Sequence, residues 1–340
     1  MKYLSRVLGN ERARSRIGRA IESGKLPHAL LIDGAVGTGK LTLATEIAAA
    51  LNCEVRGDLL PCGVCNTCRR IYEMGHVDVR VLGRADGKET IGVAQIKDWR
   101  HDMFLSSTEA PFKVYIIKDA ERMTVEAQNA LLIVLEEPPK NVVIILLASG
   151  TDRILTTIKS RAQHVSMARF TKDKLEEYLL SISENARRMK DTDPEGFSVI
   201  LTESDGVLGV ALNLSDPKKV SEVIEERKMI KDVIDSLGER ADYSRLMSSI
   251  NALPQKRQEL SYAIELIISA ISDMIAVKNT KNVSTVFLRD VKEAEALSRN
   301  MSVRYLMSVY EIFRDAYDKL SKNAGVTSLL TECVARIKLI

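Results

Sequence analysis

The sequence predicts an α/β domain with a parallel sheet, followed by a small helical domain and an all-helical C-terminal domain. In the first half of the 340-residue chain, short runs rich in Val and Ile alternate with segments of helical periodicity, a pattern typical of βαβ units. After about residue 168 the strand signals end, and apolar residues recur every three or four positions, which indicates helices. A chain of this length accommodates two or three domains of about 150 residues.

Five short apolar segments are the predicted strands of the α/β domain. They are His28–Ile32, Val79–Leu82, Val114–Ile117, Val142–Ala148 and Gln163–Met167. The helices predicted between them are Lys40–Leu51, Val93–Phe104 and Thr124–Leu135. Because parallel strands are joined by crossover helices, this alternation predicts one parallel sheet.

Helical periodicity continues to the C-terminus. A helix is predicted at Lys172–Ile182, and the segment Asp191–Gly196 (DTDPEG) predicts a loop. Near the C-terminus, a stripe on one predicted helix face indicates core packing. The stripe consists of Leu306, Val309, Tyr310, Phe313, Tyr317 and Leu320. We therefore expect domains at residues 1–168, 169–215 and 216–340.

Composition and charge exclude several classes of protein. Hydrophobic residues make up 45% and charged residues 28% of the chain, as in ordinary globular proteins and unlike disordered tails, collagen-like fibres or disulfide scaffolds. The formal net charge of +3 does not by itself argue for a nucleic-acid partner. We see no run of about 20 apolar residues and no signal-peptide core, so we expect no membrane partner and a cytoplasmic location.

The most specific motif is a glycine-rich loop directly after the first predicted strand. Its sequence, GAVGTGK, matches G-x-x-x-x-G-K and opens a predicted helix, which is the context of a nucleotide-binding P-loop. Backbone N–H groups of such a loop wrap a phosphate, and the helix N-terminus adds positive potential. The residues predicted to bind ATP or ADP are Gly34, Gly37, Thr38, Gly39, Lys40, Leu41 and Thr42. A glycine-rich turn without a ligand is the alternative.

Two positions lack the groups that hold magnesium in P-loop enzymes. Lys40 is followed by Leu41, where a Ser or Thr hydroxyl would bind the ion. Thr42 is one position further and points about 100° away around the helix. Lys118 stands at the end of the third predicted strand and is followed by Asp119. P-loop ATPases use a carboxylate at the position of Lys118. The sequence therefore predicts nucleotide binding without efficient hydrolysis.

Four of the five cysteines lie close together, with the spacing Cys53-x8-Cys62-x2-Cys65-x2-Cys68. Two-residue gaps let successive thiolates turn back onto one ion, and four thiolates complete a tetrahedral zinc shell. Ferredoxin iron–sulfur runs place the fourth cysteine three residues on and follow it with proline, a spacing that differs from this one. The prediction is a structural zinc site, and an iron–sulfur cluster or free thiols are the alternatives.

The ordered set of motifs resembles one known family. The segment Gln128–Pro139 (QNALLIVLEEPP) is similar to the N-A-L-L-x-x-L-E-E-P-P signature of clamp-loader subunits in the AAA+ family. The P-loop, the four-cysteine insertion (53–68), the His76–Val79 element and the Ser160–Arg161 pair follow in that family's order. The resemblance covers roughly residues 3–212, and the cysteine insertion points to the bacterial DNA polymerase III clamp loader.

The resemblance implies an AAA+ RecA-like P-loop domain, a helical lid domain and an all-α collar domain. It implies a hetero-pentameric ring with the other clamp-loader subunits, gamma/tau and delta, which loads the sliding clamp onto primer-template DNA. In the active gamma/tau ATPase a lid arginine stands in G-x-x-R-x-A-L, where this chain has Gly209. Together with Leu41 and Lys118, this departure implies a subunit that does not hydrolyse ATP at its own P-loop.

Arg161 is the residue that the resemblance implies to be functional. The family's S-R-C motif offers its arginine across a subunit boundary to a neighbour's ATP, and here Ala162 replaces only the cysteine. An arginine supplied in trans stabilises the charge of phosphoryl transfer. Two other functions stay open on the sequence alone: an active AAA+ ATPase of gamma/tau type, and a stand-alone zinc-dependent nucleic-acid-binding protein.

Overall fold

In a computed structural model the chain divides into two compact units, residues 1–217 and 218–340. The structure describes residues 2–55, 57–85, 87–238, 242–280, 285, 287–288, 291–322 and 324–340. Each unit buries its own apolar core.

The first unit is built on a five-stranded parallel sheet. The strands of this unit are β1 (Lys2–Tyr3), β2 (Ala29–Asp33), β3 (Leu59–Leu60), β4 (Val79–Leu82), β5 (Lys113–Ile117), β6 (Val142–Ala148) and β7 (Gln163–Ser166). The sheet order is β4-β5-β6-β2-β7 with every neighbouring pair parallel, while β1 and β3 form a separate parallel pair. The predicted parallel sheet is confirmed, and each of its strands begins and ends within one residue of the prediction.

Helices cover both faces of this sheet. They are α1 (Glu11–Glu22), α2 (Lys40–Asn52), α3 (Asn66–Tyr72), α4 (Val93–Met103), α5 (Val125–Glu136) and α6 (Thr156–Lys159). Successive residues of a strand point to opposite faces. Leu30 and Ile32 of β2 therefore pack into the core layer of α1, α2 and α3, while Ala29 and Leu31 pack into that of α4, α5 and α6.

Four further helices complete the first unit: α7 (Lys172–Ile182), α8 (Glu184–Thr192), α9 (Pro194–Glu203) and α10 (Leu208–Leu214). The loop predicted at Asp191–Gly196 is wrong, because only Asp193 separates α8 from α9. The Asp193 carboxylate accepts a hydrogen bond from the Gly196 N–H at 2.9 Å, and Pro194 occupies the first helical position. The turn-like residues thus begin a helix. Asp193 caps this helix, and Pro194 occupies a position whose N–H would have no partner within the helix in any case.

The described part of the second unit is helical. Its helices are α11 (Pro217–Ser236), α12 (Tyr243–Asn251), α13 (Arg257–Asn279), α14 (Val291–Ser298), α15 (Val303–Ser321) and α16 (Val326–Lys338). The predicted stripe lies on α15, where Leu306, Val309, Phe313 and Leu320 are buried and both tyrosines pack against the same core. By length and composition alone, α13 is the one described helix that is apolar enough to cross a membrane. Its Leu260, Ile264, Ile267 and Ile271 are buried in the core of this unit, which accounts for its apolar composition.

The His76–Val79 element anchors the chain before β5. The buried Asp78 carboxylate accepts hydrogen bonds from the N–H groups of Thr108, Glu109 and Ala110 at 2.8–2.9 Å. Burial alone would raise the pKa of Asp78, but these three donors outweigh it and hold the pKa below its ordinary value. His76 Nδ1 accepts a hydrogen bond from the Asp78 N–H at 3.2 Å. Both side chains therefore have structural partners in the described part of the chain.

Candidate functional site

The P-loop joins β2 to α2 at the carboxyl edge of the sheet, where ligands bind in open parallel sheets. Gly37 and Gly39 have φ angles of 91° and 89°, which glycine adopts far more readily than other residues. Helix α2 begins at Lys40, directly after this turn. The glycines and the helix start therefore give the predicted motif the local geometry of a phosphate-binding loop.

A cleft of about 330 Å³ lies beside the loop. Its lining residues are Val36, Gly37, Gly39, Lys40, Leu41, Thr42, Lys118, Asp119, Leu147 and Ser149. Gly34 and Thr38 are not among them; Thr38 Oγ1 donates a hydrogen bond to the Ala35 carbonyl at 2.8 Å. The sequence analysis missed Leu147 and Ser149, although their position at the end of β6 is one that parallel sheets use for ligands.

The Lys40 ammonium is held by the loop itself. Its Nζ donates hydrogen bonds to the carbonyl oxygens of Gly34 at 2.5 Å and of Ala35 at 2.8 Å. Burial lowers the pKa of Lys40, and nearby carboxylates oppose this shift. These carboxylates are Glu121, Asp119 and Asp33. The lysine thus sits in the loop whose N–H groups would meet a phosphate.

Two positions of the cleft that hold magnesium in P-loop enzymes carry other side chains. Leu41 and Lys118 both line the cleft, so one of the two metal-binding positions is apolar and the other carries a cation that repels a divalent ion. The Asp119 carboxylate lies 3.4 Å from Nε of Arg84. Hydrolysis that depends on a bound magnesium ion is disfavoured by this set of side chains.

The start of α10 lies directly on the P-loop. The Gly209 N–H donates a hydrogen bond to the Gly37 carbonyl oxygen at 3.0 Å. A Cβ atom at Gly209 would lie 2.6 Å from that oxygen and 2.9 Å from Gly37 Cα. Glycine at position 209 therefore permits close contact between two backbone segments.

We expect Gly209→Ala to lower the thermal stability of the chain, at a cost of about 1–3 kcal/mol, because the added methyl group overlaps Gly37. The matched control is Gly150→Ala, since a Cβ atom at Gly150 meets nothing within 4 Å. Thermal unfolding of both variants, followed by circular dichroism, measures the difference. Equal melting temperatures for the two variants would contradict the close backbone contact.

The four clustered cysteines converge on one point. Their Sγ atoms all lie within 4.8 Å of one another, and those of Cys62 and Cys68 are 4.0 Å apart. Zinc–sulfur bonds of about 2.3 Å in a tetrahedron place the sulfurs about 3.8 Å apart. The structure thus brings all four predicted ligands together, and small movements would close them on a single metal ion.

The local backbone favours a thiolate at one of these cysteines. Burial opposes ionisation of Cys62, but hydrogen bonds from the Val64 and Cys65 N–H groups outweigh it and lower its pKa to about 7. Burial raises the pKa of Cys53 and Cys68. Since the thiolate is the form that binds a metal, binding would release protons from Cys53 and Cys68.

The buried residue Glu46 links Tyr72, which follows the four clustered cysteines, to helix α2, which begins at the P-loop. Glu46 of α2 is fully buried; its Oε1 accepts a hydrogen bond from the Tyr72 hydroxyl at 2.5 Å, and its Oε2 accepts one from the Arg6 N–H at 3.2 Å. The Arg6 guanidinium lies 3.9 Å from the centre of the Tyr72 ring. Burial raises the pKa of Glu46. The sequence analysis missed this link, although a glutamate within an otherwise apolar helix was a signal for it.

Arg161 lies two residues after α6 and is not among the residues that line the cleft. Its Nη2 is 2.8 Å from Oε1 of Glu136, and its Nη1 donates a hydrogen bond to the Thr157 carbonyl oxygen at 3.1 Å. The side chain is 36% exposed. Arg161 is therefore exposed, and its guanidinium is held by Glu136 and Thr157 instead of lining the cleft.

Comparisons with known proteins agree with the motifs. Residues 9–171 match the family model described as "DNA polymerase III, delta subunit". DNA polymerase III subunit gamma of Buchnera aphidicola (Schizaphis graminum) is 29% identical over 209 residues, which are 62% of this chain and 56% of the relative. Subunit tau of Bacillus subtilis is 28% identical over 330 residues, which are 92% of this chain and 57% of the relative. The chain thus spans less than two thirds of the length of these relatives.

Two solved structures align with most of this chain at low identity. A DNA polymerase III gamma subunit-related protein of Thermotoga maritima has a TM-score of 0.44 and 18% identity, covering 96% of this chain and 98% of its own. The RuvB Holliday junction branch migration motor of the same organism has a TM-score of 0.44 and 14% identity, covering 92% and 89%. The family model thus covers just under half of this chain, and the gamma and tau relatives are less than 30% identical to it.

Proposed function

We propose that this chain is a delta-prime-type subunit of a bacterial DNA polymerase III clamp loader. In this proposal it does not hydrolyse ATP at its own P-loop, and it supplies Arg161 to the ATP of a neighbouring gamma/tau subunit. One observation carries the proposal: the cleft that holds the P-loop lysine is also lined by Leu41 and Lys118. The phosphate-binding loop is therefore kept, while the two positions that usually bind the catalytic metal carry an apolar side chain and a cation.

The chemistry of phosphoryl transfer explains why these two residues matter. Magnesium bridges the phosphate oxygens and neutralises the charge that develops during transfer. Leu41 offers no oxygen ligand, and the Lys118 ammonium repels the ion. Lys40 and the loop N–H groups remain, so ATP or ADP binding without turnover is part of the proposal.

The proposed assembly is a hetero-pentameric ring with the gamma/tau and delta subunits. Residues 169–215 would act as the lid and residues 216–340 as the helical collar that joins the subunits. The ring would open the sliding clamp and place it on primer-template DNA, in the cytoplasm at the replisome. The gamma and tau relatives and the matched family model support these partners.

We assign the cysteine site a structural zinc ion. In an iron–sulfur cluster the cysteines bind different iron atoms, which spreads their sulfurs apart. Four Sγ atoms within 4.8 Å of one another suit a single ion better. The bound ion would fix residues 53–72, which reach the P-loop helix through Tyr72 and Glu46.

The second candidate function is an active ATPase of gamma/tau type, which the names of the relatives favour. It requires a bound magnesium ion in spite of Leu41 and Lys118. Titration of the purified chain with a fluorescent ATP analogue, with magnesium and then with EDTA, distinguishes the two functions. Tight binding that is lost when magnesium is removed would favour the active ATPase.

Reconstitution tests the proposed function. The full chain is mixed with the gamma/tau and delta subunits of the same organism, and clamp loading onto primed DNA is followed by fluorescence. We expect a stable complex that contains this chain, and no loading when the chain is left out. A loader that assembles and works at full rate without the chain would contradict the proposal.

A further inference from the structure

Glu136 is a carboxylate at an unfavourable position. It is the last residue of α5, where the negative end of the helix dipole disfavours an anion and favours a cation. The last turn of α5 contains no basic residue. The charge of Glu136 is instead compensated by the guanidinium of Arg161, whose Nη2 lies 2.8 Å from Oε1 of Glu136.

The Arg161 guanidinium is fixed at two points. One Nη contacts the Glu136 carboxylate, and the other donates a hydrogen bond to the Thr157 carbonyl oxygen. A guanidinium carries five N–H donors in a rigid fork. These two contacts therefore fix the plane of the guanidinium and leave its other N–H groups available for a third partner.

The backbone that carries Arg161 is held by the same helix. Gln128, near the start of α5, is buried. Its side chain donates a hydrogen bond to the Arg153 carbonyl at 3.0 Å and accepts one from the Leu155 N–H at 2.8 Å. One end of α5 thus fixes the chain before α6, and the other end contacts the guanidinium after it.

We infer that Glu136 is a positioning residue for Arg161: it orients the guanidinium so that the unused N–H groups face an anionic oxygen of the neighbouring subunit's nucleotide. The inference rests on the proposed function, in which Arg161 acts in trans. An arginine oriented before the reaction loses less side-chain freedom when it meets the transition state. The segment Gln128–Pro139 then has a physical role, because it supplies both the backbone support and the counter-ion of Arg161.

A double-mutant cycle in the reconstituted loader tests this inference. Wild type, Glu136→Gln, Arg161→Ala and the double variant are compared for kcat and KM of ATP hydrolysis. Glu137→Gln is the matched control, because the Glu137 side chain is also exposed, while among the described residues the ion pair of Arg161 is with Glu136. Thermal unfolding of each variant verifies that it is folded.

We expect Glu136→Gln to lower kcat about two- to fivefold, the upper part of the range of an exposed ion pair, with KM unchanged. It should have no further effect in the Arg161→Ala background, and Glu137→Gln should behave as wild type. An equal loss in both backgrounds, an unchanged kcat or a raised kcat would each overturn the positioning role. If Arg161→Ala itself leaves turnover unchanged, the proposed function fails and the inference fails with it.

Discussion

Replacing Arg161 with Ala is expected to slow ATP hydrolysis at the adjoining site of the reconstituted loader by about 10³-fold or more, the lower bound for arginines supplied in trans. The guanidinium is 36% exposed and is not among the residues that line the chain's own P-loop cleft. In the proposed function it stabilises the transition state at a neighbour's ATP, and the variant loses that stabilisation. Folding should be unaffected, because an exposed ion pair contributes little to stability. Arg161→Lys keeps the charge but loses the fork of N–H donors, and we expect it to recover only part of the rate.

The other ATP sites of the loader stay intact in this experiment. Phosphate release is therefore followed through the first turnover, where the impaired site appears as a separate slow phase. Arg153→Ala is the control, because its side chain is exposed on the same loop region and only its backbone carbonyl has a described partner. First-turnover kinetics identical to wild type for Arg161→Ala would show that the trans-acting residue is misassigned.

Removal of the metal from the cysteine site is expected to have the largest effect on stability. Loss of a structural metal belongs to the few changes that cost more than about 4 kcal/mol. The purified chain should contain one zinc ion, and Cys68→Ser should lose the metal and lower the melting temperature of the chain. The reason is that the described residues between 53 and 72 form only a two-residue strand and a seven-residue helix, so the ion supplies much of their order.

Elemental analysis and thermal unfolding with and without a chelator measure this effect. Cys333→Ser is the control, since Cys333 is a buried cysteine in the core of the second unit, outside the cysteine cluster. The Cys333→Ser variant should keep the zinc ion, and its melting temperature should fall only by the amount that burying one hydroxyl group causes. Purified chain with no metal, and the same melting temperature with and without chelator, would contradict a structural zinc site.

The parts of the fold that the sequence predicts well are those encoded locally. Parallel strands are buried on both faces and so appear as unbroken apolar runs, which is why Val79–Leu82 and Val142–Ala148 were predicted with their observed ends. The P-loop and the cysteine cluster are likewise set by short spacings. A two-residue pair such as β1 and β3 carries no such signal, because its pairing depends on residues nearly sixty positions apart.

The contacts that shape the candidate site are long-range, and no local pattern encodes them. Gly209 of α10 contacts Gly37 of the P-loop, and Glu46 of α2 contacts Tyr72 of α3. The position of Arg161 was predicted from the family motif, but its partner Glu136 required the structure. In each case the residue type is visible in the sequence, while the partner is fixed only by how the helices pack.

The most direct test of the central claim is ATP turnover by the reconstituted loader, measured with this chain as wild type, as Lys40→Ala and as Arg161→Ala. Each variant is first shown to be folded and assembled. We predict that Lys40→Ala leaves turnover unchanged, because this P-loop is not catalytic, and that Arg161→Ala lowers it. Turnover well below wild type for Lys40→Ala would contradict the claim, since the chain's own P-loop would then hydrolyse ATP or have to bind it.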